Sequence, residues 1–136
     1  MAHDPTLPLL SALVSRLRAS IPVASLVGAR AYEAVPPQET LYPFISVGGW
    51  TDTDAGEKDV PGDDTTFVIN CWSRAGTKET AMLADAVRAT LHEQSLTVLG
   101  FQAVFVRHAS TVYMLDPDGK TYHAAATYRI LTTTVS

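Results

Sequence analysis

The chain has 136 residues, a typical length for one domain, and residues 1–136 are interpreted as a single domain. Hydrophobic residues make up 46% of the chain and charged residues 18%, which favours a folded globular protein over a disordered one. The net charge of −4 argues against a protein that neutralises nucleic-acid phosphates, and a single cysteine, Cys71, excludes an internal disulfide framework. No apolar run approaches the ~20 residues of a membrane-spanning helix, and the N-terminus lacks the basic segment of a signal peptide.

The first third of the chain predicts one helix followed by two extended segments. Apolar residues at helical spacing from Leu9 to Leu17 predict an amphipathic helix that ends before Pro22. A short extended segment is expected at Ala31–Val35, and a strand at Pro43–Trp50. Two adjacent glycines near the end of that strand indicate a β-bulge or a close approach of two backbones.

The middle of the chain predicts a buried strand and a second helix. The strand, Thr65–Ser73, is largely apolar on both faces, so it is either central in a sheet or covered by a partner. The helix is predicted to begin at Gly76 or Thr77 and to end near Glu93, because apolar residues recur within it every four positions.

The last third predicts one long β-hairpin, Phe101–Thr134, with its turn at Asp116-Pro117-Asp118-Gly119. A turn centred on these residues predicts three cross-strand pairs: Tyr113 with Tyr122, Phe105 with Ile130, and Val104 with Leu131. Each arm of about 14 residues would run ~45 Å, which exceeds the ~35–40 Å diameter of a compact chain of this size. We therefore expect a hairpin that protrudes or bends over the fold, or else two shorter strand pairs broken near residues 108–111.

Taken in order, these elements predict an α+β fold. The expected architecture is a two-layer sandwich, in which two helices lie on one face of a mixed or antiparallel sheet. The long C-terminal β-hairpin is part of that sheet.

The sequence lacks the common catalytic motifs, such as a glycine-rich phosphate loop or a nucleophile elbow. The predicted hairpin register does not bring His108 and His123 together, so the histidines are interpreted as structural or exposed. Cys71 shares a strand face with Phe67 and Ile69, which favours a core position over a nucleophile. We expect no enzyme, no cofactor and no metal site.

Acidic residues concentrate in one segment, residues 52–64, which we name the acidic segment. It has six acids against one base and a net charge of −5, whereas the rest of the chain has eight acids and nine bases. The acids are Asp52, Asp54, Glu57, Asp59, Asp63 and Asp64. Their spacing does not fit a calcium-binding EF-hand loop. We expect a surface loop that is either only solvated or presents a negative surface to a partner.

Several short motifs follow one another in a distinctive order. After the apolar N-terminal helix come YEAVP (32–36), YPFISVG (42–48), the acidic segment, CWSR (71–74), AVRATLH (86–92) and the DPDG turn (116–119). Over about residues 7–132, this order resembles the small tail-terminator (tail-completion) family of long-tailed bacteriophages and gene transfer agents. Seven arginines against three lysines are typical of a GC-rich bacterial genome, which suits a prophage or a gene transfer agent.

The resemblance implies a structural virion protein without catalytic activity. Members of this family form a six-subunit ring at the head-proximal end of the tail tube, and the ring ends tube polymerisation at the length fixed by the tape-measure protein. The implied partners are other copies of the chain in a homo-hexamer, the tail-tube protein, the head-completion (stopper) protein and the tape-measure protein. DNA would contact the ring only in transit through its lumen, and no membrane is involved. Assembly would take place in the bacterial cytoplasm, and the final location would be the virion tail.

Two sets of residues are predicted to serve this role. The expected subunit interface consists of Trp72, Tyr113, Met114, Tyr122, Asp116 and Asp118. The acidic segment is expected to face the DNA path. The alternatives are another head–tail connector or minor tail protein, or a small metal-dependent enzyme or ligand-binding module that uses Cys71 or the acidic segment.

Overall fold

A computed structural model describes residues 5–33, 36–54, 62–96, 98 and 101–134, without the side chains of residues 54, 102–104 and 134. The elements in chain order are α1 (Thr6–Ala19), α2 (Ile21–Val27), β1 (Ala31–Tyr32), β2 (Phe44–Asp54), β3 (Gly62–Ser73), α3 (Thr77–Leu91), β4 (Ser95–Leu96), β5 (Phe101–Leu115) and β6 (Tyr122–Thr134).

The strands form one six-stranded mixed sheet in the order β1-β2-β3-β6-β5-β4, curled as a half-barrel. The β1–β2 pair is parallel, and every other neighbouring pair is antiparallel. The predicted α+β class, the mixed sheet and the long C-terminal hairpin are confirmed. The finer expectation of a two-layer sandwich stays a prediction.

The predicted number of helices was wrong, because a third helix, α2, follows α1 directly. Ser20 has an extended backbone that ends α1, and its Oγ accepts a hydrogen bond from the N–H of Val23 at 3.4 Å. Pro22 lies in the first turn of α2, where its missing N–H costs no helical hydrogen bond. The first helix therefore ends at Ala19, immediately before Ser20, and Pro22 lies in the first turn of the second helix.

The core lies between the helices and one face of the sheet. Strand β3 lies between β2 and β6. Of the two predicted alternatives, a central strand or a strand covered by a partner, the central position is the one observed. Phe67, Ile69 and Cys71 are fully buried and belong to one apolar cluster with residues of all three helices, whereas Val68 and Asn70 on the opposite face are half-buried. We name the half-buried side of β3 and β6 the open face and the other side the helix face.

The paired glycines of β2 occupy the β-bulge that the sequence predicts. The register between β2 and β3 shifts between Gly48 and Trp50, and Gly49 has a φ of +69°, a conformation that favours glycine. A Cβ at Gly48 would lie 2.8 Å from Nδ2 of Asn70. The predicted bulge is confirmed, whereas the close approach at Gly48 involves the Asn70 side chain and not a second backbone.

The C-terminal hairpin forms as predicted, but its register was wrong. Tyr113 lies opposite Ala124, not Tyr122, and Phe105 lies opposite Leu131, not Ile130. The turn is closed by Asp116 and Thr121, which makes it two residues wider than a turn centred on the DPDG motif. Two further irregularities, at residues 102–105 and 108–110, shift the register again. The expected break near residues 108–111 is therefore a bulge within continuous strands.

The hairpin does not need to protrude to fit its length. Strand β6 pairs with β3 over residues 122–133, and Tyr122 lies level with Ser73 at the end of β3. The long arms are thus accommodated as central and near-edge strands of the curled sheet.

Candidate assembly surface

The hairpin turn is ordered by its own side chains. The carboxylate of Asp118 accepts hydrogen bonds from the N–H groups of Lys120 and Thr121, both at 2.9 Å, and from the Thr121 hydroxyl at 2.6 Å. The Thr121 hydroxyl and these two N–H groups lower the pKa of Asp118 to about 2. Arg74, just beyond β3, also donates to the Thr121 hydroxyl at 3.4 Å. The turn is therefore held in one conformation against the end of β3.

Strand β5 exposes four consecutive apolar side chains next to this turn. Val112, Tyr113, Met114 and Leu115 are between 42% and 54% exposed, although they alternate between the two faces of the sheet. On the far side of β5, strand β4 covers only residues 104 and 105. Further along the described part of β5, no strand lies on that side. Unpaired backbone and exposed apolar side chains therefore coincide at one sheet edge.

Leu131 on β6 and Phe105 on β5 form a second exposed apolar pair on the open face, nearer the other end of β5. They lie opposite each other in the sheet, and each exposes nearly half of its area. These two residues, like Val112 and Leu115, were not among the predicted interface residues. A signal was present in the run of four apolar residues that ends β5, because a strand with one covered face alternates apolar and polar residues.

Trp72 lies in an aromatic cluster on the open face. Its ring stacks on the His123 ring, with 3.9 Å between the ring centroids, and on the Phe44 ring, with 6.1 Å between the centroids. Its Nε1–H donates to the Ser46 hydroxyl at 3.0 Å. His123 is fixed in turn by a 2.6 Å hydrogen bond between its Nε2 and Oδ1 of Asn70. Burial lowers the pKa of His123, which favours the neutral ring in this stack.

The structure brings some of the predicted interface residues together and separates others. Met114 lies opposite His123 and so continues the row of Trp72 on the open face. Tyr113 lies on the helix face, and Tyr122 shares that face because it pairs with Leu115. Asp116 and Asp118 lie in the turn, and Asp118 is engaged in the turn itself. The set therefore spans both faces of one corner of the sheet.

The sequence suggested that the acidic segment is one continuous loop, and this was wrong. Asp52 and Asp54 belong to β2, and Asp63 and Asp64 belong to β3. Asp54 lies opposite Asp63, whereas Asp52 and Asp64 each lie opposite a threonine. The strands extend further because alternating threonines continue their β-forming pattern beyond the apolar residues. Glu57 and Asp59 lie outside the described residues.

At least two of these acids have partners within the subunit. A side-chain oxygen of Asp52 accepts from the Thr65 hydroxyl at 3.1 Å, and Asp64 forms an ion pair with Arg129. This pair raises the pKa of Arg129 through its hydrogen bond and its charge. Part of the negative charge that the sequence concentrates here is therefore used to hold β2, β3 and β6 together.

The remaining polar candidates have structural roles. Burial raises the pKa of Cys71 to about 12, which leaves its thiol protonated and unreactive. His92 and His108 contact each other through the backbone N–H of His108, which donates to Nδ1 of His92 at 3.0 Å. Among the described residues, no three His, Cys, Asp or Glu side chains are arranged to hold a metal ion.

No individual helix in the described ranges has the length and apolar character needed to cross a membrane. Only α1 and α2 taken together meet that test, and they are bent by 79° at their junction.

This geometry describes a small α+β subunit whose distinctive surface is an open sheet edge, a feature of proteins that assemble through their strands. The family model for tail completion protein gp17 matches residues 11–133. The chain therefore belongs to the tail completion protein gp17 family. No protein of curated function matches the sequence significantly.

Two solved structures share the fold. A chain in the structure titled "Virion of native gene transfer agent (GTA) particle" is 24% identical with a TM-score of 0.89, over 97% of this chain and 99% of that one. The chain in "Structure of bacteriophage SPP1 gp17 protein" is 20% identical with a TM-score of 0.59, over 94% of this chain and 88% of that one.

Family membership confirms three of the sequence-based interpretations. The resemblance to tail-completion proteins of phages and gene transfer agents is correct. The protein is a structural component of the virion tail and not an enzyme. As a tail component it associates with other virion proteins.

Proposed function

We propose that the protein forms a homo-hexameric ring at the head-proximal end of the tail tube. The ring ends tube polymerisation at the length fixed by the tape-measure protein, and it then joins the tail to the head-completion protein. The observation that carries this proposal is the exposed apolar edge of β5 beside a rigid turn, in a chain that belongs to a tail-completion family.

A ring requires two different surfaces on each subunit, because cyclic closure beyond a dimer uses head-to-tail contacts. The end of β5 and the ordered turn supply one apolar surface. The cluster around Trp72 lies across the same end of the sheet, so a neighbour or the tail tube that contacts the turn would also reach it. Tyr, Trp and Met are side chains that interfaces favour.

The acidic segment lies at the opposite end of β2 and β3 from the hairpin turn. Asp54 pairs with Asp63 at one end of the two strands, and Phe44 pairs with Trp72 at the other end, next to which β3 meets Tyr122 at the start of β6. We propose that this end faces the DNA path. Six copies of a segment with a net charge of −5 place about thirty negative charges around one axis, and salt limits their repulsion of DNA to about 8–10 Å. DNA would then slide past without binding to the wall.

Charge reversal tests the DNA path. Lysine at Glu57, Asp59 and Asp63 is expected to slow DNA delivery and to make the purified protein retain DNA at low salt. Asp52 and Asp64 are kept for their partners within the subunit, and Asp54 is kept because it lies on the open edge of β2. Replacement of the same three residues by asparagine and serine is the uncharged control. Normal DNA delivery by the lysine variant would show that this end lies away from the DNA.

Deletion of the gene tests the terminator role directly. Without a terminator, tube subunits continue to add beyond the tape-measure length, so we expect tails of irregular, excessive length and heads without tails. Complementation with the intact gene should restore joined particles of uniform tail length. Tails of normal length attached to heads in the deletion strain would contradict the proposed function.

A further inference from the structure

Two long strands have open edges at opposite sides of the sheet. Strand β1 covers only Ile45 and Ser46 of β2, which leaves residues 47–54 without a strand on that side among the described residues. On the other side, β4 covers residues 104 and 105 of β5, and Val106 still exchanges backbone hydrogen bonds with residues 93 and 94. Within the described chain, residues 110–115 of β5 then have no backbone partner on their outer side.

Beyond the bulge at residues 108–110, the open part of β5 lacks the features that normally prevent strand addition. Its sequence, STVYML (110–115), contains no charge and no proline, and its last four side chains are all exposed. Natural sheet edges are usually protected by lysine, proline, a bulge or a covering element. An unprotected edge of β-forming residues is a template for another strand.

We propose that the open edge of β5 pairs with the open edge of β2 in the next copy of the chain, which continues the sheet from subunit to subunit. This inference rests on the proposed ring and names the contact that closes it. Strands β2, β3, β6 and β5 alternate in direction. When the next copy keeps the same orientation about a ring axis, its β2 therefore runs antiparallel to β5, which is the more favourable pairing.

The charges on the two edges favour this partner over β2 pairing with itself. The open part of β2 contains Asp52 and Asp54, and two such edges side by side would bring like charges together. Asp52 lies on the helix face, because its partner in β3 is the buried Thr65. On the same face, the cleft between α3 and β5 is lined by Arg88 and, one helical turn before it, by Asp85. Arg88 is exposed and forms no ion pair, with Asp85 or any other acid, among the described residues. In an antiparallel pair, residues 52–54 of β2 would lie beside the part of the open β5 edge that begins at residue 110. Arg88 lies close to this part of β5, in the same cleft as Thr111.

Disulfide cross-linking in assembled particles tests the contact. Thr51→Cys on β2 is combined with either Ser110→Cys or Val112→Cys on β5, all three being exposed positions on the open face. The native cysteine is fully buried and stays in place. A matched control combines Thr51→Cys with Leu7→Cys on α1, a position that is 75% exposed on another part of the subunit. Thermal melting of each isolated variant confirms that it folds.

Mild oxidation of particles that carry a β2–β5 double variant should give a ladder of cross-linked species up to the hexamer. Particles with either single variant should give monomers, and particles that mix the two single variants should give no species larger than a dimer. Dimers from Val112→Cys alone would indicate β5 pairing with itself and overturn the proposal. An equal ladder from the Leu7 control would also overturn it.

The result separates this inference from the proposed function. If the particles contain the protein at the tail end but neither double variant cross-links, the edge contact is wrong and the ring is held in another way. If the variants fold but the protein is absent from otherwise complete particles, both the edge contact and the proposed function fail.

Discussion

The exposed end of β5 should tolerate charge in the isolated subunit but not in the assembled tail. The test variant replaces Val112 and Met114, both on the open face, with lysine. Their side chains are 54% and 42% exposed, so about half of each is already buried in the subunit. Full burial of such a side chain stabilises by about 1.5–3 kcal/mol, so a neighbour that covers the rest gains about 1 kcal/mol from each.

Loss of these contacts removes about 2 kcal/mol from each subunit contact, and burial of the lysine ammonium groups raises the cost to about 5 kcal/mol. The association constant of each contact should therefore fall by about 30-fold from the lost apolar contacts alone, and by several thousand-fold when the ammonium groups are buried as well. In the isolated subunit both positions are half-exposed, and a lysine there extends its ammonium group into solvent. The free energy of unfolding should therefore change by no more than about 0.5 kcal/mol, or about 1–3 °C in Tm.

Two measurements check this prediction: thermal melting of the purified variant, and electron microscopy of particles in which the variant is the sole copy. We expect a native-like Tm together with few joined particles and little of the protein in them. Met82→Lys on α3 is the control, because Met82 is similarly exposed at 49% but lies on a helix. A folded double variant that completes particles as well as the native protein would refute the assignment of this edge to assembly.

Three further predictions concern the subunit itself. Cys71 should react with a thiol reagent only after denaturation, because burial raises its pKa to about 12, and rapid labelling of the native protein would contradict its core position. Tyr128→Phe should leave Tm unchanged or raise it by a few degrees, because the buried Tyr128 hydroxyl has no hydrogen-bond partner among the described residues; a fall of more than about 5 °C would show that the hydroxyl is satisfied. Burial lowers the pKa values of His108 and His123, so the stability that depends on their neutral rings is present above pH ~6.5 and is lost as the pH falls through their folded pKa values. Melting between pH 7.5 and 5 should show a falling Tm, with a smaller fall in His123→Gln, and an equal fall in that variant would contradict the role of His123.

Elements that depend on local signals could be predicted from the sequence. The apolar periodicity of α3 reflects burial on one face, and its four-residue spacing selects the buried residues Leu83, Val87 and Leu91. Strand β3 was also predicted, but its two apolar faces did not indicate which of them is buried. The glycine pair of β2 was informative because a close approach and a positive φ both require glycine.

Features that depend on non-local contacts could not be predicted. The hairpin register was wrong because Asp118 closes a wider turn through Thr121, and two bulges then displace the pairing. Helix α2 was missed because a proline is compatible both with a position after a helix and with the first turn of a new one. Only the hydrogen bond to the Ser20 side chain shows that a new helix begins there. The open edges of β2 and β5 depend on the order of the strands in the sheet, which no short motif specifies.

We propose that this chain closes the head-proximal end of the tail as a ring, and imaging of assembled particles can show whether it does. A reconstruction of the junction between head and tail should show six copies of this α+β subunit, related by a sixfold axis, between the last tube ring and the head-completion protein. A different number of copies at that position, or a particle that lacks the protein there, would contradict the account.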